Sequence, residues 1–273
     1  MISSAKTPPV VLTIAGFDPS AGAGVTADIK TIAANGCYGV ACITALTVQS
    51  TSGVHRVKPM DPVLLKSSLK ALADDLELSA VHVGMLGSGA VATAVADFLA
   101  AHKPSCVIVD PILKASSGAN LIDKDGFKVL KQRILPLATA ITPNVDEAAF
   151  LSGMAVTNLS QMRACARFLH SSGVKAAVIT GGHLKNAADL LSVSSKGKVR
   201  QNVFPARHIN SRSTHGTGCA FATALACQLA LGRELPQAVL AAKSYVRKAI
   251  AQAYPVGRGV GPINHFATFR ARR

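Results

Sequence analysis

The chain has 273 residues, 49% of them hydrophobic, with 22 glycines and no tryptophan, a size and composition that fit a globular α/β protein. Its net charge of +15 favours anionic partners such as phosphorylated metabolites. The basic residues are spread along the chain apart from Arg270, Arg272 and Arg273, and aromatics make up only 4%, so no specific nucleic-acid surface is expected.

No apolar run reaches the roughly 18 residues that a membrane span needs, and the first nine residues lack the pattern of a secretion signal. A cytoplasmic protein without a membrane partner is the expectation. Six cysteines are scattered without a CxxC pair, which argues against a disulfide frame or a zinc site. Cys37, Cys42, Cys106, Cys165 and Cys227 sit in apolar surroundings and read as small core residues. Cys219 stands apart.

In chain order, residues 1–8 are expected to be a flexible N-terminus. Val10 to Ala15 reads as a strand, Ala21 to Asn35 as a helix, and Tyr38 to Val48 as a second strand with a short third at Val54 to Pro59. A helix over Pro62 to Ala73, a strand at Ala80 to Met85 and a helix over Ala90 to Ala101 follow. Cys106 to Val109 is a buried strand ending in Asp110-Pro111. Next come a helix over Lys124 to Ile134, a strand at Ala138 to Ile141, helices at Val145 to Leu151 and Leu159 to Ser171, and a strand at Ala176 to Thr180. Leu190 to Val193 and Val199 to Phe204 form a hairpin around Ser194 to Lys198. Two long helices, Gly218 to Leu231 and Pro236 to Tyr254, complete the set. Such alternation predicts one α/β domain with a mostly parallel sheet covered on both faces, and ligands bound where strands end.

Four clusters follow strands. "THGTGCAFATALA" places Gly216, Thr217 and Gly218 at the mouth of an alanine-rich helix. Unpaired N–H groups and the helix dipole there suit an anion, and the same field is expected to lower the pKa of Cys219 from about 8.5. In "TIAGFDPSAGAGVTADIKT", a strand runs into Gly16, Gly22 and Gly24 open a helix with Asp28 about one turn further in, and the order of a dinucleotide site is lacking. Thr47 and Gln49 end a strand; a glutamine amide suits the edge of a heterocycle, with Met85 as an apolar wall. Asp110, Asn144 and Glu147 supply hard oxygens for hydrated magnesium, Asn144 also being a natural helix cap. Thr180 and Gly182 lie in a further glycine loop, "VITGGH". Each cluster also has a plain structural reading: a turn, a cap, an exposed carboxylate or a core residue.

Together, "AGFDPSAGAGVTADIKT", "ITALTVQSTSGV", "VGMLG", "VDPIL", "TPNVDEA", "STHGTGCAFATALA" and "GRGVGPINHF" resemble, in this order, the hydroxymethylpyrimidine kinase / phosphomethylpyrimidine kinase family of thiamine biosynthesis, a branch of the ribokinase-like fold, over about Val10 to Phe266. The resemblance implies a homodimeric kinase that uses ATP and Mg2+ to phosphorylate 4-amino-5-hydroxymethyl-2-methylpyrimidine and then its monophosphate. It implies Cys219 facing the acceptor, and Gly216, Thr217 and Gly218 as the anion hole. Gly16, Ala23, Asp28, Thr47, Gln49 and Met85 would form the pyrimidine pocket. Asp110, Thr180, Gly182 and His215 would meet nucleotide or phosphate, and Asn144 and Glu147 the metal. Where family members often carry lysine, this chain has Thr180 and Ser116; Lys114, Lys185 and Arg212 are the cations considered in their place. Pyridoxal kinase activity, a silent pyrimidine-binding protein and a thiol hydrolase built on Cys219 and His215 stand as alternatives.

Overall fold

A computed structural model describes residues 7–115, 118–182, 184 and 187–267. Ser116, Ser117, His183, Lys185, Arg270, Arg272, Arg273 and most of the expected flexible stretch lie outside the described residues.

Among the described residues nine strands join one sheet: β1 (Val10–Phe17), β2 (Tyr38–Ser50), β3 (Gly53–Pro59), β4 (Leu78–Val83), β5 (Val107–Val109), β6 (Ala140–Ile141), β7 (Ala176–Ile179), β8 (Asp189–Ser195) and β9 (Lys198–Phe204). Their order is β3-β2-β1-β4-β5-β6-β7-β8-β9. The six strands from β2 through β7 in that order pair in parallel, and β3, β8 and β9 add antiparallel edges.

Among the described residues eight α-helices cover it: α1 (Gly24–Ala34), α2 (Pro62–Asp75), α3 (Gly89–His102), α4 (Lys124–Val129), α5 (Val145–Ser152), α6 (Leu159–Ser171), α7 (Thr217–Ala230) and α8 (Leu235–Ala251). The period-two alternation of the strands divides the core. Leu12, Ile14, Val81, Val83, Val107 and Val109 face one side and pack with α2 to α6. Val11, Ala80, Ile108, Ala140 and Val178 face the other and pack with α1, α7 and α8. Alanines at 220, 222, 224 and 226 leave α7 without bulky side chains at these fully buried positions, which suits close packing beneath the sheet.

The elements match the sequence expectations closely, with boundary differences that have local causes. The first helix starts at Gly24 rather than Ala21, because Ala21 (φ 57) and Gly24 (φ 61) both adopt left-handed backbone in the turn before it. The helix expected over Lys124 to Ile134 is α-helical only to Val129; Leu130–Ile134 widens into a π-turn and Leu135–Leu137 tightens into a 3₁₀ turn ahead of β6. No helix among the described residues is long and apolar enough to cross a membrane.

Because β1, β4, β5, β6 and β7 run in parallel, the loops after them gather on one edge of the sheet. Chain order reverses direction at β1, whose two neighbours are β2 and β4, and this is where open α/β sheets bind ligands. Helices α2 to α6 start with side-chain caps from Asp61, Ser88, Asp123, Asn144 and Asn158. Asn158, which accepts from Gln161 N at 3.0 Å, caps α6 on an exposed part of the surface. Asn158→Ala is expected to cost about 1 kcal/mol, read as a Tm lower by about 2–4 °C in a thermal melt, with turnover unchanged.

Candidate active site

A cavity of about 690 Å³ opens along that edge. Its wall is built by the loops after β1, β5, β6 and β7, the ends of β2, the start of α7 and one face of α8.

Gly216 caps α7 with φ 78, and no side chain accepts from the first turn. A Cβ on Gly216 would lie 1.9 Å from Gly22 O, so only glycine lets the two loops touch. Thr217, Gly218 and Cys219 all line the cavity, and a Cβ on Gly218 would stand 3.7 Å from Asp110 Oδ2. A helix start without a side-chain acceptor, facing open space, has the N–H groups and the dipole that suit an anion.

Cys219 is half-buried at this point. Its pKa runs against the sequence expectation: burial, then the fields of Asp110 and Asp28, push the thiol well above its ordinary value, and a backbone hydrogen bond from Gly24 only partly opposes them. The helix dipole favours thiolate, but desolvation beside carboxylates wins. The group is a neutral S–H at neutral pH.

The turn after β1 is organised by Asp18. Its Oδ1 accepts from Ser20 N (2.8 Å) and Ser20 Oγ (2.7 Å), and its Oδ2 from Ala23 N (3.0 Å), Gly22 N (3.3 Å) and His215 Nε2 (2.9 Å). Burial alone would raise this carboxyl; the hydrogen bonds from His215 and Ser20 outweigh it and hold the pKa below its ordinary value. His215, assigned from sequence to the nucleotide side, thus stands against Asp18, and its ring lies where a Gly22 side chain would be (2.3 Å).

The Gln49 amide lies 3.2 Å from His215 Nε2, and its other end 3.2 Å from Thr47 Oγ1, which donates to Phe17 O at 2.9 Å. Asp18 can only accept, so His215 Nε2 carries the proton. That proton goes to Asp18, while the Gln49 amide lies beside the same ring nitrogen through its Nε2 and beside Thr47 Oγ1 through its Oε1. Met85 packs over Gly16, where a Cβ would meet its Sδ at 2.8 Å. Gly16, Ala23, Thr47, Gln49 and Met85 therefore share one end of the cavity wall.

Asp28 does not join them. It is fully buried and absent from the wall; its carboxylate accepts from Thr13 Oγ1 (2.6 Å) and Thr223 Oγ1 (2.8 Å). Its place one turn inside α1 and the family resemblance both suggested a pocket residue, but its carboxylate is turned into the core.

Across the cavity, Asp110 directly follows β5 and accepts from Thr142 Oγ1 at 3.4 Å. Burial, followed by the field of Glu147, pushes its carboxyl up to about 8. Burial also pushes Glu147 up to about 7. Asn144 and Glu147 form a capping box on α5: Asn144 Oδ1 accepts from Asp146 N and Glu147 N, both at 2.9 Å, and Glu147 Oε2 accepts from Asn144 N at 2.9 Å. The Asn144 oxygen expected to meet a metal is thus given to the helix cap. Among the described residues no three His, Cys, Asp or Glu side chains cluster as a metal cage. Asp110 and Glu147 do fit magnesium of the kind that keeps its waters and leans on phosphates.

Thr180 and Gly182 line the cavity beyond β7. Of the cations considered, Lys114 lies on the wall and Arg212 does not.

One end of the cavity was missed from sequence. Lys243 and Arg247 of α8 line it together with Asp189, Arg207, Val246 and Ile250. Lys243 Nζ is buried and donates to Asp189 Oδ2 (2.6 Å) and Phe204 O (2.7 Å), while Asp189 Oδ1 accepts from Gly181 N (2.9 Å). The available signal was a lysine inside the apolar stripe Val239, Ala242, Val246 of α8.

Known proteins agree with this architecture. The sequence model of the family described as phosphomethylpyrimidine kinase matches residues 18–264. Over 93% of its length the chain is 42% identical to the thiamine biosynthesis bifunctional protein ThiED of Geobacter sulfurreducens, of which it spans 52%, about half. It is 39% identical to the hydroxymethylpyrimidine/phosphomethylpyrimidine kinase of Streptomyces coelicolor, covering 95% of both chains. Among solved structures, an ADP complex of Bacillus subtilis pyridoxal kinase superposes with a TM-score of 0.86 at 32% identity, over 96% of this chain and 98% of that one. The fold is the ribokinase-like one, and the chain belongs to the phosphomethylpyrimidine kinase family.

Proposed function

We propose that this protein is an ATP-dependent kinase of thiamine biosynthesis that phosphorylates 4-amino-5-hydroxymethyl-2-methylpyrimidine, and then its monophosphate to the diphosphate. The observation that carries this reading is the start of α7: a helix without a side-chain cap, opening between the Gln49–Met85 end of the cavity and Asp110. A flat aminopyrimidine fits between Met85 and the Gln49 amide, which offers one donor and one acceptor to a ring edge. Its hydroxymethyl group then points towards Cys219.

Phosphoryl transfer depends mainly on positioning and on charge neutralisation in the transition state. The open N–H groups at Gly218 and Cys219 suit the equatorial oxygens of the migrating group. Asp110 and Glu147 are the residues that would hold magnesium, which when bound neutralises charge on the phosphate oxygens. The Cys219 thiol, neutral in the free protein, contributes a small polarizable contact to the acceptor oxygen rather than a strong base. Lys114 on the wall supplies positive charge for the more anionic second acceptor. ADP bound to the similar pyridoxal kinase supports a nucleotide as co-substrate, and the place we infer for it is the α8 end, between Lys243, Val246 and Arg207. The functional unit we infer is a cytoplasmic homodimer. A pyridoxal kinase is the second reading, favoured by that same structural likeness.

Incubation with Mg-ATP and the hydroxymethylpyrimidine is expected to yield monophosphate and then diphosphate by mass spectrometry; absence of any product rejects the proposal. Gln49→Ala is expected to lower kcat/KM for the aminopyrimidine about tenfold or more, the scale of one or two lost hydrogen bonds, and to affect pyridoxal less. An equal loss for both removes the glutamine from ring recognition.

Asp110 and Glu147 titrate above their ordinary values, so the folded protein favours their protonated forms. Stability from this pair is then fully present below about pH 4 and is lost as pH rises towards about 8. Asp110→Asn is expected to raise the Tm of the ligand-free protein at pH 8, with the gain shrinking at pH 5 and vanishing near pH 4, while turnover falls. Differential scanning calorimetry at these pH values checks the sign.

A further inference from the structure

Beneath the cavity lies a polar node that the proposed chemistry does not use. Thr13 of β1, Asp28 of α1, His82 of β4 and Thr223 of α7 are all fully buried. Both threonine hydroxyls donate to Asp28, at 2.6 and 2.8 Å. His82 Nδ1 lies 3.2 Å from each hydroxyl and 3.4 Å from Asp28 Oδ2. Since both hydroxyl protons are committed to the carboxylate, Nδ1 carries the proton and donates into the group.

The four residues come from four elements, and each of those elements carries, or leads directly into, a residue of the cavity wall. Thr13 precedes Gly16 by three positions on β1, and His82 precedes Met85 by three at the end of β4. Asp28 follows Gly24 by four on α1, and Thr223 follows Cys219 by four on α7, so each lies on the same helix face one turn deeper. A shift or rotation of any element that moved its wall residue would also move its node residue. Apolar contacts tolerate such sliding, whereas hydrogen bonds of fixed length and direction do not. A buried charged cluster is also a poor choice for stability alone, since apolar residues of similar volume often serve as well.

We propose that the Asp28–Thr13–Thr223–His82 node is a positioning device that fixes the register of α7 and α1 against β1 and β4, setting the open helix start at the distance from the ring pocket that transfer requires. Asp28 is then a positioning residue, not a substrate contact. The inference rests on the start of α7 being the transfer site.

The test uses Thr223→Val, which keeps shape and removes one hydrogen bond, with Thr13→Val in parallel in case one of them folds poorly. Kinetics are normalised to folded protein by circular dichroism. Misplacement of reacting groups by an ångström or less is expected to lower kcat by about tenfold to a hundredfold, with KM for ATP and pyrimidine within about twofold. Thr223→Ser, which restores the hydroxyl, is expected to return kcat towards the parent value. A folded valine variant whose kcat stays within about twofold of the parent, whatever its Tm, overturns the proposal. Gly218→Leu, whose side chain would fill the mouth of α7, separates the two levels of inference. If its turnover is lost while Thr223→Val is unaffected, the node alone is rejected. If Gly218→Leu turns over normally, the site assignment beneath the proposal fails.

Discussion

The structure depends on one constraint: the start of α7 is left without a side-chain cap and must nevertheless stay in place. Every helix from α2 to α6 satisfies part of its first turn with an Asp, Asn or Ser side chain. α7 instead begins at Gly216, in left-handed backbone, pressed against Gly22 O so closely that no Cβ fits. A helix end of this kind costs stability unless something else satisfies its N–H groups. The surrounding construction compensates. Nine residues of the helix, from Ala220 to Gln228, are buried, and Thr223 ties its second turn to Asp28.

The same economy explains the electrostatics. Asp110 and Glu147 share a buried space where two negative charges repel, and Cys219 lies in their field. Left alone, such a site takes up protons. The free protein therefore favours the protonated pair, and ionising both carboxyls calls for a compensating positive charge beside them. On the opposite wall the balance is reversed. Asp18 gathers five hydrogen bonds from the backbone, Ser20 and His215, so its charge is satisfied internally and the turn stays rigid. One carboxylate is structural and two are responsive, although all three line the same cavity.

Most of this was legible in the sequence because it is local. Strand and helix periodicity, the glycines before α7 and the Asn144–Glu147 spacing are written within a few residues of each other, and the elements appear where they predict. Gly16, Ala23, Thr47, Gln49, Met85, Asp110, Thr180, Gly182 and Gly216 to Cys219 all reach the cavity wall, because loops after parallel strands must share an edge. The local rules failed where a side chain has two possible directions. Asp28 looked like a wall residue from its position in α1, yet helix packing turns it inward.

The sequence by itself determined the order of elements, the parallel sheet and the loops that meet above it, since these follow from periodicity and turn chemistry over short stretches. Only the tertiary structure decided that His215 belongs to Asp18, 197 positions away, that Lys243 closes the far end of the cavity against Asp189, and that Cys219 is a neutral thiol. The physical reason is that hydrogen-bond partners, desolvation and nearby charges are set by groups distant in the chain, and no local pattern encodes which of them will be brought together.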